Sequence, residues 1–313
     1  MRDKVYTSNK YDASVAVATS LCHDKMYTLP LILDNLNKHL KHVDACYVAC
    51  NTVDGWPDLD ISLLDTSKVP IYSEQVISSP EDTIVARCSA VRNAARNWFL
   101  SEKYTHILYL DSDIWLDGID DAVGSLLSAN KHLATGIYPL RDFTSVIVPQ
   151  IAHPIDVDLD VPTHGGVSNG ILNAQYIRPM AYAFGMGIML VSKEAISKVG
   201  FRVGAGLDEY GEDFGFCVDC RSLGYDLAVV PSVSAWHVMD DMTGAKIVIE
   251  KDLKFGVVWQ DFPTLVTNKY GVWRRGVPRF DISADVISDL GPGFVSGAFQ
   301  TLRLETKEIR ING

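Results

Sequence analysis

The chain has 313 residues, 47% of them hydrophobic and 21% charged, which is enough to bury one large core or two modest ones. Its formal net charge of −11, spread along the chain, speaks against a protein that grips long nucleic acid through a basic face. No apolar run reaches the length of a membrane-spanning helix, so no transmembrane segment is expected.

Residues 1–12 are polar and lack an apolar signal core, which gives the expectation of a soluble, cytoplasmic protein with reduced thiols. The six cysteines are Cys22, Cys46, Cys50, Cys88, Cys217 and Cys220. Cys217-x-x-Cys220 could be half of a zinc site, but no matching pair lies near it in sequence, and buried free thiols are the simpler expectation.

Residues 14–21 (SVAVATSL) are apolar and β-branched and predict a buried strand. Leu29, Ile32, Leu33, Leu36 and Leu40 recur at helical spacing within residues 26–40. Residues 44–50 (DACYVAC) predict a second strand, 51–60 a loop and 69–77 a third strand. An amphipathic helix follows within residues 80–100, with Val85, Ala90, Val91, Ala94, Ala95, Trp98 and Phe99 on its apolar side. Residues 105–110 (THILYL) form a strand leading into Asp111. A helix over 120–129 and a strand over 132–137 continue the alternation. This order implies an α/β fold with a largely parallel sheet covered by helices on both faces.

Residues 149–180 are irregular and rich in Asp, Gly and Asn, and read as a long loop or a small antiparallel insert. Regular structure returns with a strand over 182–191, a helix over 193–199 ended by Gly200, and a helix over 214–223 ended by Gly224. Two strands, 226–230 and 234–238, are expected on either side of Pro231. The division drawn is a catalytic domain over 1–240 and a C-terminal extension over 241–313 that binds acceptor or packs on the first domain.

Three groups of residues carry chemistry. Asp111-Ser112-Asp113 follows a buried strand, so its carboxylates face the crevice beyond the sheet's carboxyl edge, where open α/β sheets bind ligands. Paired carboxylates meet phosphate only through a hard cation, which points to Mg²⁺ or Mn²⁺. Gly211-Glu212-Asp213 precedes a helix; an acidic pair there either compensates the helix dipole or supplies a general base. Trp236-His237 ends a strand, and His237 is either structural or a metal ligand.

Taken in order, these motifs resemble a known family. A helix with Ala86-Arg87 and Arg92-Asn93 precedes HILYLDSD. GIYPLR (136–141), AFGMGIMLV (183–191), GEDFGFC (211–217) and WHV (236–238) follow. The pattern over residues 14–238 is similar to the GT-A glycosyltransferases, particularly those like family 2. The resemblance implies that Thr19, Ser20, Asn51 and Asp54 bracket a nucleotide, and that Asp111 contacts ribose or a metal-bound water. It implies that Asp113 and His237 bind the metal with Asp111 beside them, and that Arg87 or Arg92 lies near the diphosphate or holds the loops. Gly185 and Gly187 would admit the sugar, Asp213 would be the base, and Glu212 would bind acceptor or orient the site. Asn51 stands where that family often carries an acidic residue, with Asp54 as a substitute.

The resemblance thus implies transfer of a sugar from a nucleotide-diphosphate donor to an acceptor hydroxyl, with inversion. The acceptor is left open among a glycan, a lipid-linked sugar, a protein and a modified nucleic-acid base. Two alternatives stand beside it. A haloacid-dehalogenase-type phosphatase also places Asp-x-Asp after an apolar strand, though nearer the N-terminus and with a different continuation from Ile114-Trp115. A non-catalytic carbohydrate-binding protein on the same fold is the other.

Overall fold

The computed structural model describes residues 12–138, 151–153, 163–164, 183–203, 211–238, 243–249, 255–261, 267–268, 271–272 and 278–283. In chain order the first strands are β1 (Val15–Cys22), β2 (Val43–Val53), β3 (Ile71–Ser78), β4 (His106–Leu110), β5 (Ile114–Trp115) and β6 (Leu133–Ile137). Three short strands follow, β7 (Ile151–His153), β8 (Thr163–His164) and β9 (Ala183–Phe184), then β10 (Ile188–Ser192), β11 (Leu227–Ser234) and β12 (Trp236–Val238). The last are β13 (Thr243–Ile249), β14 (Phe255–Asp261), β15 (Thr267–Asn268), β16 (Gly271–Val272) and β17 (Pro278–Ser283). The helices are α1 (Leu29–Asp34), α2 (Ile84–Ser101), α3 (Ala122–Ser128), α4 (Lys193–Lys198) and α5 (Gly211–Ser222).

Seven strands form the central sheet in the order β11-β6-β10-β4-β1-β2-β3. Only β10 runs against its neighbours; the other strands are mutually parallel. Alternation along each strand divides the core into two layers. Ala16, Ala18, Ala45, Ala49, Ile107 and Tyr109 pack on α2, α4 and α5 through Val91, Ala95, Phe99, Ile196, Phe214 and Phe216. Val15, Val17, Cys46, Val48, Leu108 and Leu110 pack on the opposite face against Leu29 and Ile32 of α1 and Val123 and Leu126 of α3. The fold is therefore α/β, with a mostly parallel central sheet flanked by helices. The small side chains on one face of β1 and β2 let α2 lie close, and truncating its fully buried Phe99 to Ala costs about 3 to 5 kcal/mol.

Most helix starts follow local rules. The Thr83 and Ser192 hydroxyls and the Asp121 carboxylate accept the N–H of Ala86, Ala195 and Gly124 respectively. The helical stretch expected over 26–40 is a composite: a 3-10 turn (His23–Thr28), α1, then a π turn (Asn35–His39). Pro30 fits near the start of α1, where its missing N–H leaves no hydrogen bond unmade.

Two expected boundaries differ. Pro231 does not divide a strand; it lies inside β11, and the break falls at Ala235. β11 is an edge strand whose register with β6 shifts between Val229 and Ser234, so a residue without an N–H is accommodated there. The strand expected over 182–191 is two strands in different sheets, β9 with β7 and β10 with β4 and β6, and Tyr182 lies outside the described residues.

A second, antiparallel sheet has the order β17-β14-β13-β12-β5. It joins β5 and β12, from before residue 240, to β13, β14 and β17 from after it by strand pairing, while β15 and β16 pair with each other in a separate two-stranded sheet. Lys246 on β13 adds a bond to the Asp117 carbonyl at 3.0 Å. Within 149–180, β7 and β8 pair antiparallel; the remainder of that segment, like Asp240 and Arg141, lies outside the described residues.

Candidate active site at the carboxyl edge of the sheet

β4 lies between β1 and β10 and delivers Asp111 at the carboxyl edge of the parallel strands. The Asp111 N–H donates to the Gly187 carbonyl, and its own carbonyl accepts from Ile114 N–H, both at 3.0 Å, which closes a tight turn over 111–114. Asn35 holds that turn from below: its amide donates to the Ile114 carbonyl at 2.8 Å and accepts from Leu116 N–H at 3.0 Å. β5 then pairs with β12 in a register that sets Trp236 opposite Trp115 and His237 opposite Ile114. That register brings His237 beside Asp113, whose carbonyl accepts from Val238 N–H.

Asp113 is 1% exposed. Its Oδ2 accepts from Lys25 Nζ at 2.6 Å and lies 3.3 Å from His237 Nε2. Its Oδ1 is buried with no hydrogen-bond partner among the described residues. Burial alone would raise the Asp113 carboxyl, but the Lys25 ammonium and the His237 ring outweigh it and hold the group well below the usual carboxylate range. Asp111 does not join this cluster. It is turned to Arg92, whose Nη2 lies 3.5 Å from its Oδ1. Among the described residues no group of three or more His, Cys, Asp or Glu side chains is gathered tightly enough to cage a metal, so the expected trio of Asp111, Asp113 and His237 is drawn together only as the pair Asp113 and His237.

Arg92 connects the two acidic motifs. It is buried on α2, donates to Glu212 Oε1 from Nη1, and faces Asp111 from Nη2. Burial opposes its charge, yet Glu212, Asp111 and Asp213 together raise its affinity for the proton well above the ordinary value. α5 begins three residues earlier than expected, so Gly211, Glu212 and Asp213 form its first turn rather than preceding it. Gly211 has φ +84°, which only glycine adopts without strain. Asp213 Oδ1 accepts the Phe214 N–H at 2.8 Å. Burial, and then the neighbouring Glu212 charge, push the Asp213 carboxyl up to about 7.

Thr19, Ser20, Arg92 and Asp111 line one open cleft with Ala18, Tyr109 and Leu110. Thr19 Oγ1 is buried there without a hydrogen-bond partner among the described residues. The other expected donor-binding residues lie outside that lining. Asn51 donates to the Val76 carbonyl and the Ser78 hydroxyl, fastening β2 to β3. Asp54 is exposed in the turn after β2. Arg87 donates to the Pro80 carbonyl and braces the segment before α2. Gly185 is buried between β9 and β10. Gly187 lets the Tyr138 ring approach the backbone: a Cβ there would lie 2.4 Å from Tyr138 Cζ, and the Gly187 N–H donates to the Tyr138 hydroxyl at 2.8 Å.

Lys25, Asn35 and Tyr138 escaped the sequence reading. Tyr138 stands beside His237 with ring centroids 6.0 Å apart. Its position in GIYPLR was the only available signal. All six cysteines are free, and Cys217 and Cys220 are buried on α5. No helix among the described residues is long and apolar enough to cross a membrane.

Neither a protein-family profile nor a curated protein sequence matches the chain. Solved structures do. A197 from STIV is 15% identical, with 77% of this chain and 92% of that chain covered and a TM-score of 0.41. Mannosyltransferase PcManGT from Pyrobaculum calidifontis, in complex with GDP-Man and Mn²⁺, is 12% identical over 71% of this chain, with a TM-score of 0.43; this chain spans 55% of it. Glucosyl-3-phosphoglycerate synthase from Mycobacterium tuberculosis, with Mn²⁺, UDP and phosphoglyceric acid, is 16% identical over 74% of this chain and 72% of that one, at 0.41.

Proposed function

We propose that the chain is a metal-dependent glycosyltransferase of the GT-A type that moves a sugar from a nucleotide-diphosphate donor to an acceptor hydroxyl with inversion. The observation that carries this reading is the meeting of Asp113 and His237, 124 residues apart, with one buried carboxylate oxygen left unpartnered. They stand at the carboxyl edge of the parallel strands, where Asp111 also lines the cleft with Thr19, Ser20 and Arg92.

Carboxylate oxygen suits Mn²⁺ or Mg²⁺, and the imidazole nitrogen beside it favours Mn²⁺ of the two; Mg²⁺ is commonly held by one or two carboxylates with substrate phosphates and water completing its shell. Asp113 and His237 would hold such an ion, which when bound would offset the charge of the departing diphosphate. Thr19 and Ser20 offer hydroxyls to the donor in the cleft. Arg92 fixes Glu212 and keeps Asp111 directed at the same space. Asp213, with its carboxyl at about 7, is ionised in a useful fraction at neutral pH and remains basic enough to take a proton. The acceptor oxygen forms its bond to the anomeric carbon, the bond from that carbon to the diphosphate oxygen breaks, and the acceptor proton passes to Asp213. A single displacement of this kind inverts the anomeric centre.

The test is incubation of the protein with a panel of nucleotide-diphosphate sugars and Mn²⁺, following nucleoside diphosphate release. Release that is lost with chelator and in Asp113→Asn supports the proposal. Binding of the donors without any release would favour the non-catalytic carbohydrate-binding reading, and release of inorganic phosphate from phosphate esters would favour the phosphatase.

A further inference from the structure

Lys25 has no role in the mechanism above, yet its ammonium lies 2.6 Å from Asp113 Oδ2, nearer than the His237 ring. It lies in the 3-10 turn that follows β1, so the chain's first exit from the parallel sheet places an ammonium at the proposed metal site. A carboxylate that is 1% exposed cannot keep its charge in that position without a countercharge. His237 shares Oδ2 with Lys25 but is a full cation only when protonated. The permanent positive charge on Asp113 is therefore that of Lys25.

A divalent ion held by Asp113 and His237 needs the same carboxylate, and two cations so close repel each other strongly in a partly buried site. The ammonium and the imidazole nitrogen both meet Oδ2, while Oδ1 has no hydrogen-bond partner among the described residues. The Lys25 side chain is 24% exposed and carries its charge on a flexible four-carbon stem, so it has a route into solvent.

We propose that Lys25 is a displaceable counter-ion of the metal site, neutralising Asp113 while no divalent ion is bound and withdrawing when one binds. This inference rests on the metal-dependent reading above. It explains how so buried an aspartate is tolerated by the protein without metal, and it makes metal affinity a contest between the ion and a tethered ammonium.

The experiment is Mn²⁺ binding to the nucleotide-free full chain, measured by the loss of the free-ion electron paramagnetic resonance signal and, independently, by the rise in Tm with Mn²⁺. Lys25→Met and Lys25→Gln should bind Mn²⁺ at least tenfold more tightly than wild type and show a larger rise in Tm. Lys25→Arg keeps the charge and should stay close to wild type, while Asp113→Asn should bind at least tenfold more weakly. If Asp113→Asn weakens binding but neither neutral Lys25 variant tightens it, Lys25 does not compete and the inference fails while the metal site stands. If Asp113→Asn binds Mn²⁺ as wild type does, the metal site itself is wrong and the inference goes with it. Gln donates a neutral hydrogen bond to Asp113, so it keeps the test available should the Met variant fold poorly without metal.

Discussion

Replacing Asp213 by Asn should make the protein more stable and less active at the same time. Asn keeps the shape of the side chain and its Oδ1 can still accept the Phe214 N–H, so the change removes little besides charge. In the folded protein Asp213 retains its proton up to about pH 7, whereas the ordinary value is 3.8. Between those values the folded state holds one more proton than the unfolded chain, so the stability associated with this group is complete below pH 3.8 and is lost as pH rises to 7. At about 1.36 kcal/mol for each tenfold change in proton affinity, the loss amounts to at most about 4 kcal/mol above pH 7. The side chain is 8% exposed, so solvent screening takes little from that figure. Denaturant unfolding of wild type and Asp213→Asn at steps from pH 4.5 to 8.5 reads the effect directly. The Asn variant should gain on wild type as pH rises, by one to several kcal/mol at pH 8, with kcat reduced by about 10² to 10⁴. A stability difference that is flat with pH, or that grows toward acid, would show that Asp213 is not a carboxylate strained by burial.

Further outcomes follow from the same site. With Asp213 as base, kcat/KM should climb with pH and level off above about 7, and a profile that falls over that range would contradict its role. Arg92→Met should cost about 3 to 5 kcal/mol by stranding Glu212, and adding Glu212→Gln should recover part of the loss in a double-mutant cycle on urea unfolding. Gly187→Ala should lower stability by about 1 to 3 kcal/mol, because its methyl group enters the Tyr138 ring; unchanged thermal stability would mean that Tyr138 has somewhere else to go. Asn35→Leu should cost about 2 to 4 kcal/mol by leaving the Ile114 carbonyl and Leu116 N–H unpaired, and Mn²⁺ affinity should fall with it as the turn carrying Asp113 loosens.

The central sheet was readable because parallel strands covered on both faces must be apolar almost throughout, and SVAVATSL, DACYVAC and HILYL leave no other period to follow. Asp111 and Asp113 stood out for the same reason: charges directly after such a strand can only lie at its open end. What the chain order concealed was partnership. Arg92 and Glu212 are 120 residues apart and Lys25 and Asp113 are 88, and nothing local to either residue announces the other. Lys25 sits in a polar turn where a solvent-facing lysine is the ordinary expectation. Asn35 falls on a stretch whose leucines alone carry the helical period, so a buried amide bracing a distant turn leaves no trace in the pattern. Pro231 misled because a proline breaks an interior strand but not an edge, and the neighbours of a strand are a property of the fold. The same holds within Asp111-Ser112-Asp113: the two carboxylates are one residue apart in sequence, but the turn that carries them directs one to Arg92 and the other to His237.

A crystal of the full chain soaked with Mn²⁺ and a nucleoside diphosphate, with anomalous scattering recorded at the manganese edge, tests the account most directly. It predicts a peak bonded to Asp113 and His237 and to the diphosphate, with the Lys25 ammonium moved off Asp113 and the nucleoside lying along Thr19 and Ser20. A fully occupied diphosphate elsewhere on the protein, with Asp113 still paired to Lys25 and no manganese beside it, would contradict it.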